Sequence, residues 1–307
     1  MTQQAPLVIM NPAAAQGAAA RRWPRLASLL RSTFPDLTVR TTQARGDAER
    51  WSGEWVLAHP DQPVIAVGGD GTVHEVVNGL LGGSRSGRLG IIPAGTGNDV
   101  ARNTGVPVDP AAAVERLGRG RPVPVDAARI SFRTPVGEAR SRILINSVSV
   151  GVSPRANHIA GTIRRLLPGR LCYALGGLLA LMVERSGRYT VSSADGVHHE
   201  GRALNITLAN GASFGGGMLI SPASSVSDGA LDQVLIGDIG RIRALIALSR
   251  LYAGTHVGMR GISVTPVREA VHIRRTDGNL LIEADGEEFE GSSELSVEIL
   301  PGAVQLL

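Results

Sequence analysis

The sequence predicts an α/β domain followed by a β-rich domain, and three patterns carry that expectation. Short apolar runs alternate with helix-periodic segments over the first 122 residues. Beyond Pro122 the texture changes to β-branched runs separated by Gly, Ser, Asp and Pro. Two glycine-rich loops follow directly on apolar strands in the first part.

The expected strands of the first domain are LVIM at Leu7 to Met10, LTVRT at Leu37 to Thr41, VIAV at Val64 to Val67 and LGII at Leu89 to Ile92. Between them Ala18 to Arg31, Asp47 to Ala58 and Val73 to Leu81 carry apolar residues at helical spacing, which argues for a parallel sheet. The segment Gly118 to Pro124, GRGRPVP, would interrupt either regular structure, so the domains are expected to divide at residues 122 and 123. The runs VPVDAARISF, ILINSVSV, LNITLA, LDQVLIG and VHIRR then read as strands of a β-rich domain covering residues 123–292. Helical inserts are expected over Leu171 to Glu184 and Ile242 to Tyr252.

Composition removes several function classes. Aromatic residues make up 3% of the 307, too few for base stacking to be the main activity, so no nucleic-acid partner is expected. The formal charge of +4 rests on Arg alone, because the chain contains no Lys. Walker-type NTPases and protein kinases in their usual forms are thereby excluded, and phosphate binding must use Arg, backbone N–H groups or a metal. Cys172 is the single cysteine, so no intramolecular disulfide or thiolate zinc cluster can form. The longest apolar stretch, Leu171 to Val183, falls short of the roughly 20 residues that span a bilayer. The N-terminus MTQQAPLVIM lacks the basic region of a signal peptide. The expectation is a cytoplasmic protein without transmembrane segments.

The strand Val64 to Val67 runs into GGDGTVHEVVNGL, where three glycines crowd a turn and a helix follows at once. Glycines let the backbone approach a polyphosphate, a helix start presents N–H groups, and Thr72 adds a hydroxyl. Asp70 repels phosphates unless a cation intervenes, which points to Mg²⁺; the alternative is a helix cap in a tight turn. A second such unit, PAGTGNDVARN at Pro93 to Asn103, follows the next strand, so both loops would line one crevice at the carboxyl ends of the strands. After the first strand, Asn11 either offers its amide to a nucleotide or terminates the strand. Asp285, in LLIEADG, is either a carboxylate that orients an attacking hydroxyl or an ordinary Asp-Gly hairpin residue.

GGDGTVHEVVNG, IPAGTGNDVARN, ANGASFGGGMLISP, DGALDQVLIG and ADGEEF, in this order, resemble the diacylglycerol kinase catalytic family, which includes bacterial soluble lipid kinases and sphingosine kinases and is related to NAD kinases. The resemblance covers nearly the whole chain. It implies a two-domain protein with ATP on the first domain, lipid against a C-terminal β-sandwich, an active site in the cleft between them, and a last strand, about 293–307, that returns to the first domain. It implies transfer of the ATP γ-phosphate to a lipid hydroxyl, with diacylglycerol as the leading acceptor.

By the same resemblance, Gly69, Asp70, Gly71, Thr72, Val73, His74 and Glu75 hold the nucleotide, and Thr42 and Thr96 match two further ATP-contacting threonines. Asp285 matches the general base. Asp228, with the carbonyls of Ser225 and Ala230, matches a structural Mg²⁺ site, and Asp70 and Asp99 join a water network toward it. Two departures stand out: Ser227 replaces a frequent second Asp, and Ser153-Pro154 replaces a usual Asp-Ala. The apolar segment LCYALGGLLALMV reads as a core helix or as a wall of an acyl-chain groove, with Arg164, Arg165 and Arg170 suited to anionic headgroups or to a solvated face. His198-His199 reads as a turn. A membrane-presented lipid is the expected partner, at the inner membrane face, and a homodimer is left open. A kinase of a polar small molecule, nearer to NAD kinases, and a non-catalytic lipid or nucleotide sensor are the rival readings.

Overall fold

The computed structural model describes residues 5–83, 86–163 and 169–307, with only the backbone described at 169 and 170. Arg164 and Arg165, and the side chain of Arg170, lie outside the described residues. The chain forms two compact units: one gathers the residues up to Ala127 with Pro301–Leu307, the other is Ala128–Leu300.

Unit 1 contains, in order, β1 (Leu7–Met10), α1 (Ala18–Thr33), β2 (Thr38–Thr41), α2 (Asp47–Ala58), β3 (Val64–Gly68), α3 (Asp70–Gly82), β4 (Gly87–Pro93), α4 (Asp99–Asn103) and α5 (Pro110–Arg119). β1 pairs in parallel with β2 and β3, and β3 with β4. β1 and β3 are buried along their whole length, as unbroken apolar strands are when helices cover both faces of a parallel sheet. Val8, Met10, Ile65, Val67 and Ile92 pack under Leu26 and Leu30 of α1 and Val114 and Leu117 of α5. α2 and α3 approach so closely that a Cβ on Gly79 would lie 2.8 Å from the Gly53 nitrogen. α5 starts where Asp109 accepts a hydrogen bond from Ala112 N (2.9 Å) and Pro110 occupies the first turn, a sequence-encoded helix start.

Unit 2 holds most of β5 (Val123–Arg133), then β6 (Ala139–Leu144), β7 (Ser147–Gly151), α6 (Val152–Ile163), α7 (Gly169–Val183), β8 (Gly187–Ser193), β9 (Gly196–Ala209), the short β10 (Ser213–Phe214) and β11 (Met218–Leu219), β12 (Leu231–Gly237), α8 (Gly240–Arg250), β13 (Ile262–Val267), β14 (Val271–Arg275), β15 (Leu280–Ala284), β16 (Glu287–Gly291) and β17 (Glu294–Leu306). The expected junction at 122 and 123 falls at the start of β5, and the units divide within that strand. The last residues of β17, Val304 to Leu306, pair in parallel with β4 inside unit 1.

All strand pairs within unit 2 that involve β7, β8, β9, β12, β14 and β15 are antiparallel. Long β9 serves two neighbours in turn: Gly196 to Ala203 pair with β8, and Asn205 to Ala209 with β7. Their inward side chains, among them Val148, Val150, Val191, Ile206, Leu208, Ile273 and Ile282, form one apolar core.

One expectation is corrected. His198-His199 lie inside β9 rather than in a turn, because the reversal falls at residues 194 and 195, where Ser193 pairs with Gly196. Ser153-Pro154 opens α6, a helix the composition did not announce; proline fits the first turn, where its missing N–H costs nothing.

Candidate functional site

In unit 1 the chain passes from β3 to α3 through the single extended residue Gly69, and Thr72 N and Val73 N donate to Gly69 O (2.9 and 3.1 Å) to close the first turn. A helix start of this kind leaves its earliest N–H groups without intrahelical acceptors, the usual basis of anion binding. The loop after β4 lies directly against it. Ala94 N donates to Gly68 O (2.7 Å), and a Cβ on Gly69 would stand 3.0 Å from Gly95 Cα. Asn98, in the left-handed conformation (φ 54°), cinches this second loop: its Oδ1 accepts from Gly95 N and its Nδ2 donates to Gly95 O, both at 3.0 Å. From the end of β1, Asn11 Nδ2 donates to Thr72 Oγ1 (3.0 Å) while its Oδ1 accepts from Ala13 N (3.0 Å). Asn11 therefore orients the Thr72 hydroxyl.

The carboxylates follow the same convergence. Asp70 reaches beyond its own helix: its Oδ1 accepts from Val100 N (3.0 Å) in the first turn of α4. Asp99, 5% exposed, is ion-paired with Arg102 (2.9 Å), whose Nη2 also donates to Gly97 O. Both carboxylates flank Gly97: a Cβ there would lie 2.7 Å from Asp70 Oδ2 and 3.5 Å from Asp99 Oδ2. Arg102 Nε is buried with no hydrogen-bond partner among the described residues. Sequence reasoning missed Arg102, although it stands three residues after Asp99 in GNDVARN, where a helical turn pairs such residues.

The remaining nucleotide candidates divide. Gly71 is half-buried in the first turn of α3, Thr96 is exposed on the second loop, and Thr42 follows β2, its N–H donating to Met10 O (2.9 Å). Val73 and His74 turn into the core, 2% and 5% exposed, His74 meets Asn78 along the helix, and Val73 N–H is taken by Gly69 O, so neither side chain faces the loops. Glu75 Oε2 accepts from Ala48 N (3.2 Å) at the start of α2, which gives it a structural partner away from the loops.

In unit 2, Asp285 and Gly286 form a two-residue hairpin between β15 and β16, both with positive φ (50° and 88°), as this turn requires. The same carboxylate accepts three backbone bonds from the β6–β7 connection. Ile145 N donates to Oδ2 (2.9 Å), and Asn146 N and Ser147 N donate to Oδ1 (2.9 and 3.0 Å). Around it Asn146 Nδ2 donates to Ser213 O (3.0 Å) and Asn210 Nδ2 to Ile145 O (2.7 Å), both residues buried. From α6, Asn157 Nδ2 donates to Gly286 O (3.0 Å) and braces the turn. Asn146 and Asn157 were missed by sequence reasoning; the signal for the first was an asparagine breaking the apolar run ILINSV.

Asp228 is exposed and its Oδ1 accepts from Ala230 N (3.1 Å), a local turn bond. Ser225 is exposed and Ala230 buried. The loop is tied by Asp232 Oδ2, which accepts from the hydroxyls of Ser221 and Ser224 (2.5 and 2.6 Å). Among the described residues no cluster of three His, Cys, Asp or Glu could hold a metal ion, so an ion at Asp228 would draw on carbonyl oxygens and water, donors that suit a hard cation. Ser193, Asp195 and His198 cluster at the β8–β9 turn. Both partners meet the same ring nitrogen, Nε2, which precludes a proton relay across the imidazole.

The chain is similar to known proteins over nearly its whole length. Residues 5–130 match the diacylglycerol kinase catalytic domain, and residues 146–307 the YegS C-terminal NAD kinase β-sandwich-like domain. A Klebsiella pneumoniae (strain 342) protein named "Probable lipid kinase YegS-like" is 30% identical over 304 residues, 99% of this chain and 96% of that one. The crystal structure of a diacylglycerol kinase from Bacillus anthracis str. Sterne shares the fold with a TM-score of 0.74 at 22% identity, covering 100% of this chain and 97% of that one. Yeast NADH kinase complexed with NADH shares it more distantly, with a TM-score of 0.53 at 10% identity over 100% and 84% of the two chains. The chain belongs to the YegS-like lipid kinases, in which a diacylglycerol kinase catalytic domain is joined to a β-sandwich of the NAD kinase type.

Proposed function

We propose that this lipid kinase transfers the γ-phosphoryl group of ATP, with Mg²⁺, to the free hydroxyl of diacylglycerol, giving phosphatidic acid. The observation that carries the nucleotide part is the contact of the Gly69 and Gly95 loops, joined by the bond from Ala94 N to Gly68 O, with the Thr72 hydroxyl oriented by Asn11 and with Arg102 bonded to Gly97 O. The residues fit the group: small backbone at the point of approach, a helix start, and a buried guanidinium N–H without a partner among the described residues. ATP would supply the transferable phosphoryl group, and Mg²⁺ would offset its negative charge.

In this reading the backbone at the very start of α3, Gly69 to Gly71, and the Thr72 hydroxyl bind phosphate oxygens, and Thr42 and Thr96 add hydroxyl contacts. Val73 (its N–H taken by Gly69 O), His74 and Glu75 support the helix start without touching the nucleotide, and Asn11 acts by orienting Thr72. Asp70 would face the Mg²⁺ carried by the nucleotide, and Asp70 and Asp99 would join a water network toward the ion at Asp228. Asp285 accepts the proton of the acceptor hydroxyl, and Asp228 with the Ser225 and Ala230 carbonyls holds a structural Mg²⁺.

The test is incubation of the purified chain with γ-labelled ATP and Mg²⁺ against diacylglycerol, phosphatidylglycerol, a sphingoid base, a glycolipid and NAD, with products resolved by mass. Label in phosphatidic acid supports the full reading, and label in another lipid moves the acceptor. Label in NAD alone would replace it with a dinucleotide kinase.

A further inference from the structure

Helices α7 and α8 of unit 2 are apolar on the wrong side for a helix facing water. On α7 most residues that pack inward are small, Leu181 apart: a Cβ on Gly176 would lie 2.5 Å from Ala156 O and 3.1 Å from Ala160 Cβ of α6, and one on Gly177 would lie 3.0 Å from Leu248 Cδ1 of α8. Most of its large apolar residues point out instead. Leu171, Leu178, Leu179, Met182 and Val183 recur at one-face helical spacing and are exposed, Met182 by 62%. α8 repeats the inversion, burying Ala244 and Ala247 while Ile242 (77%), Leu245 and Ile246 are exposed. Eight of the fifteen exposed large apolar side chains among the described residues sit on these two adjoining helices, so this is a patch and not scattered surface leucine.

We propose that the outward faces of α7 and α8 dock this protein onto the surface of an anionic lipid bilayer. The proposal rests on the lipid-kinase reading for its use, since an acceptor embedded in a bilayer has to be met at the interface. Charge selects the occupant. The sequences of α6, α7 and α8 contain no Asp or Glu, and α8 exposes Arg241, Arg243 and Arg250, none of them ion-paired among the described residues. The nearest carboxylates at the helix ends are already engaged: Glu184 with Arg155 (2.9 Å) and Asp238 with Arg202 (3.2 Å). Apolar residues rimmed by arginine match an anionic headgroup layer over acyl chains. A second copy would instead bring arginine against arginine with no carboxylate between them. Length sets the mode of contact: fifteen residues of α7 reach about 22 Å at ~1.5 Å per residue, short of the hydrocarbon core, so the helix lies in the interface and does not cross it. No helix among the described residues is long and apolar enough to cross a membrane.

The experiment is co-sedimentation of the full chain, without ATP, with vesicles of phosphatidylcholine alone or mixed with phosphatidylglycerol. Binding to the mixed vesicles, weakened by salt, is expected. Met182→Glu with Ile242→Glu should lower the partition coefficient by about tenfold or more, and each of Arg241→Gln and Arg243→Gln by about fivefold on anionic vesicles only. Both glutamates replace exposed side chains, so the melting temperature should hold. Phosphorylation of diacylglycerol in vesicles should fall with binding, while that of a short-chain, water-soluble diacylglycerol should not. Vesicle binding unchanged in the double variant overturns the proposal, as does a dimer, measured by sedimentation, that those substitutions split in a chain that binds no vesicles. Vesicle binding that is lost in the variant of a chain that phosphorylates nothing upholds the docking surface and sinks the kinase reading alone.

Discussion

Replacing Asp285 by Asn separates chemistry from scaffolding, because the structure gives this carboxylate a load that can be counted. It accepts three buried backbone N–H groups, from Ile145, Asn146 and Ser147, at 2.9 to 3.0 Å. An amide has one acceptor oxygen. Placed at Oδ1 it keeps two of these bonds and turns its NH₂ toward Ile145 N, donor against donor; placed at Oδ2 it loses two. A buried donor left unsatisfied costs about 1–3 kcal/mol, and the surviving bonds lose their charge, so the variant should be destabilised by about 2–4 kcal/mol. The turn itself should survive, since Asn tolerates the φ of 50°. In melting temperature the loss corresponds to roughly 5–15 °C for a domain of this size. A positioned general base contributes about a hundred- to ten-thousand-fold to rate, so turnover per folded molecule, assayed well below the new melting temperature, should fall by that factor. Nucleotide affinity, by titration calorimetry, should stay within experimental error. If turnover falls no further than the folded fraction does, Asp285 is a structural anchor, and Asp99 and Glu287 are tested next as the base.

Three other perturbations have defined outcomes. Gly95→Ala drives a Cβ into Gly69 and should weaken ATP binding by about tenfold or more with the fold intact by circular dichroism; unchanged affinity would place the nucleotide elsewhere. Asp228→Ala should lower activity and should lower the melting temperature in Mg²⁺ to the value wild type shows in EDTA, and equal melting of wild type with and without chelator removes the structural ion. Burial holds the His256 ring below its ordinary pKa of 6.5, with Nε2 against Ile220 O (3.0 Å) and Nδ1 lacking a partner among the described residues, so the unfolded chain takes up the proton first on acidification. The stability this gives is complete above pH 6.5 and is lost as pH falls below it, with a slope of up to about 1.4 kcal/mol per pH unit. His256→Gln should flatten that part of a urea-denaturation pH profile.

The nucleotide loops were legible because their signal is local. A strand buried on both faces is an unbroken apolar run, and β1 and β3 read directly as LVIM and VIAV. A close approach of backbones needs glycine, and Gly69 and Gly95 are that approach. What escaped depended on partners distant in sequence. α6 was hidden because VSPRANHIAGTI mixes Pro, Asn, His and Gly, all weak helix formers, and its stability comes from packing on α7 and on the Asp285 turn. The orientation of α7 was equally hidden: a stretch apolar on every side does not say which side faces in, and Gly176 and Gly177, which decide it, read as gaps rather than as contacts.

Asp285 shows why a choice between hairpin residue and general base could not be made from the string ADGEEF. The two roles use different parts of one residue. The Asp-Gly pair is required by the positive φ at both positions, and that same backbone geometry accompanies a carboxylate fastened to residues 145–147, about 140 positions away in sequence. Turn propensity therefore does not count against a catalytic carboxylate here; a rigid two-residue turn braced by Asn157 is a means of holding one still. The consequence can be measured. Asn157→Ala removes the bond to Gly286 O without touching Asp285, and if the turn serves positioning it should lower kcat severalfold while leaving nucleotide affinity unchanged, whereas a purely structural turn would show only a lower melting temperature.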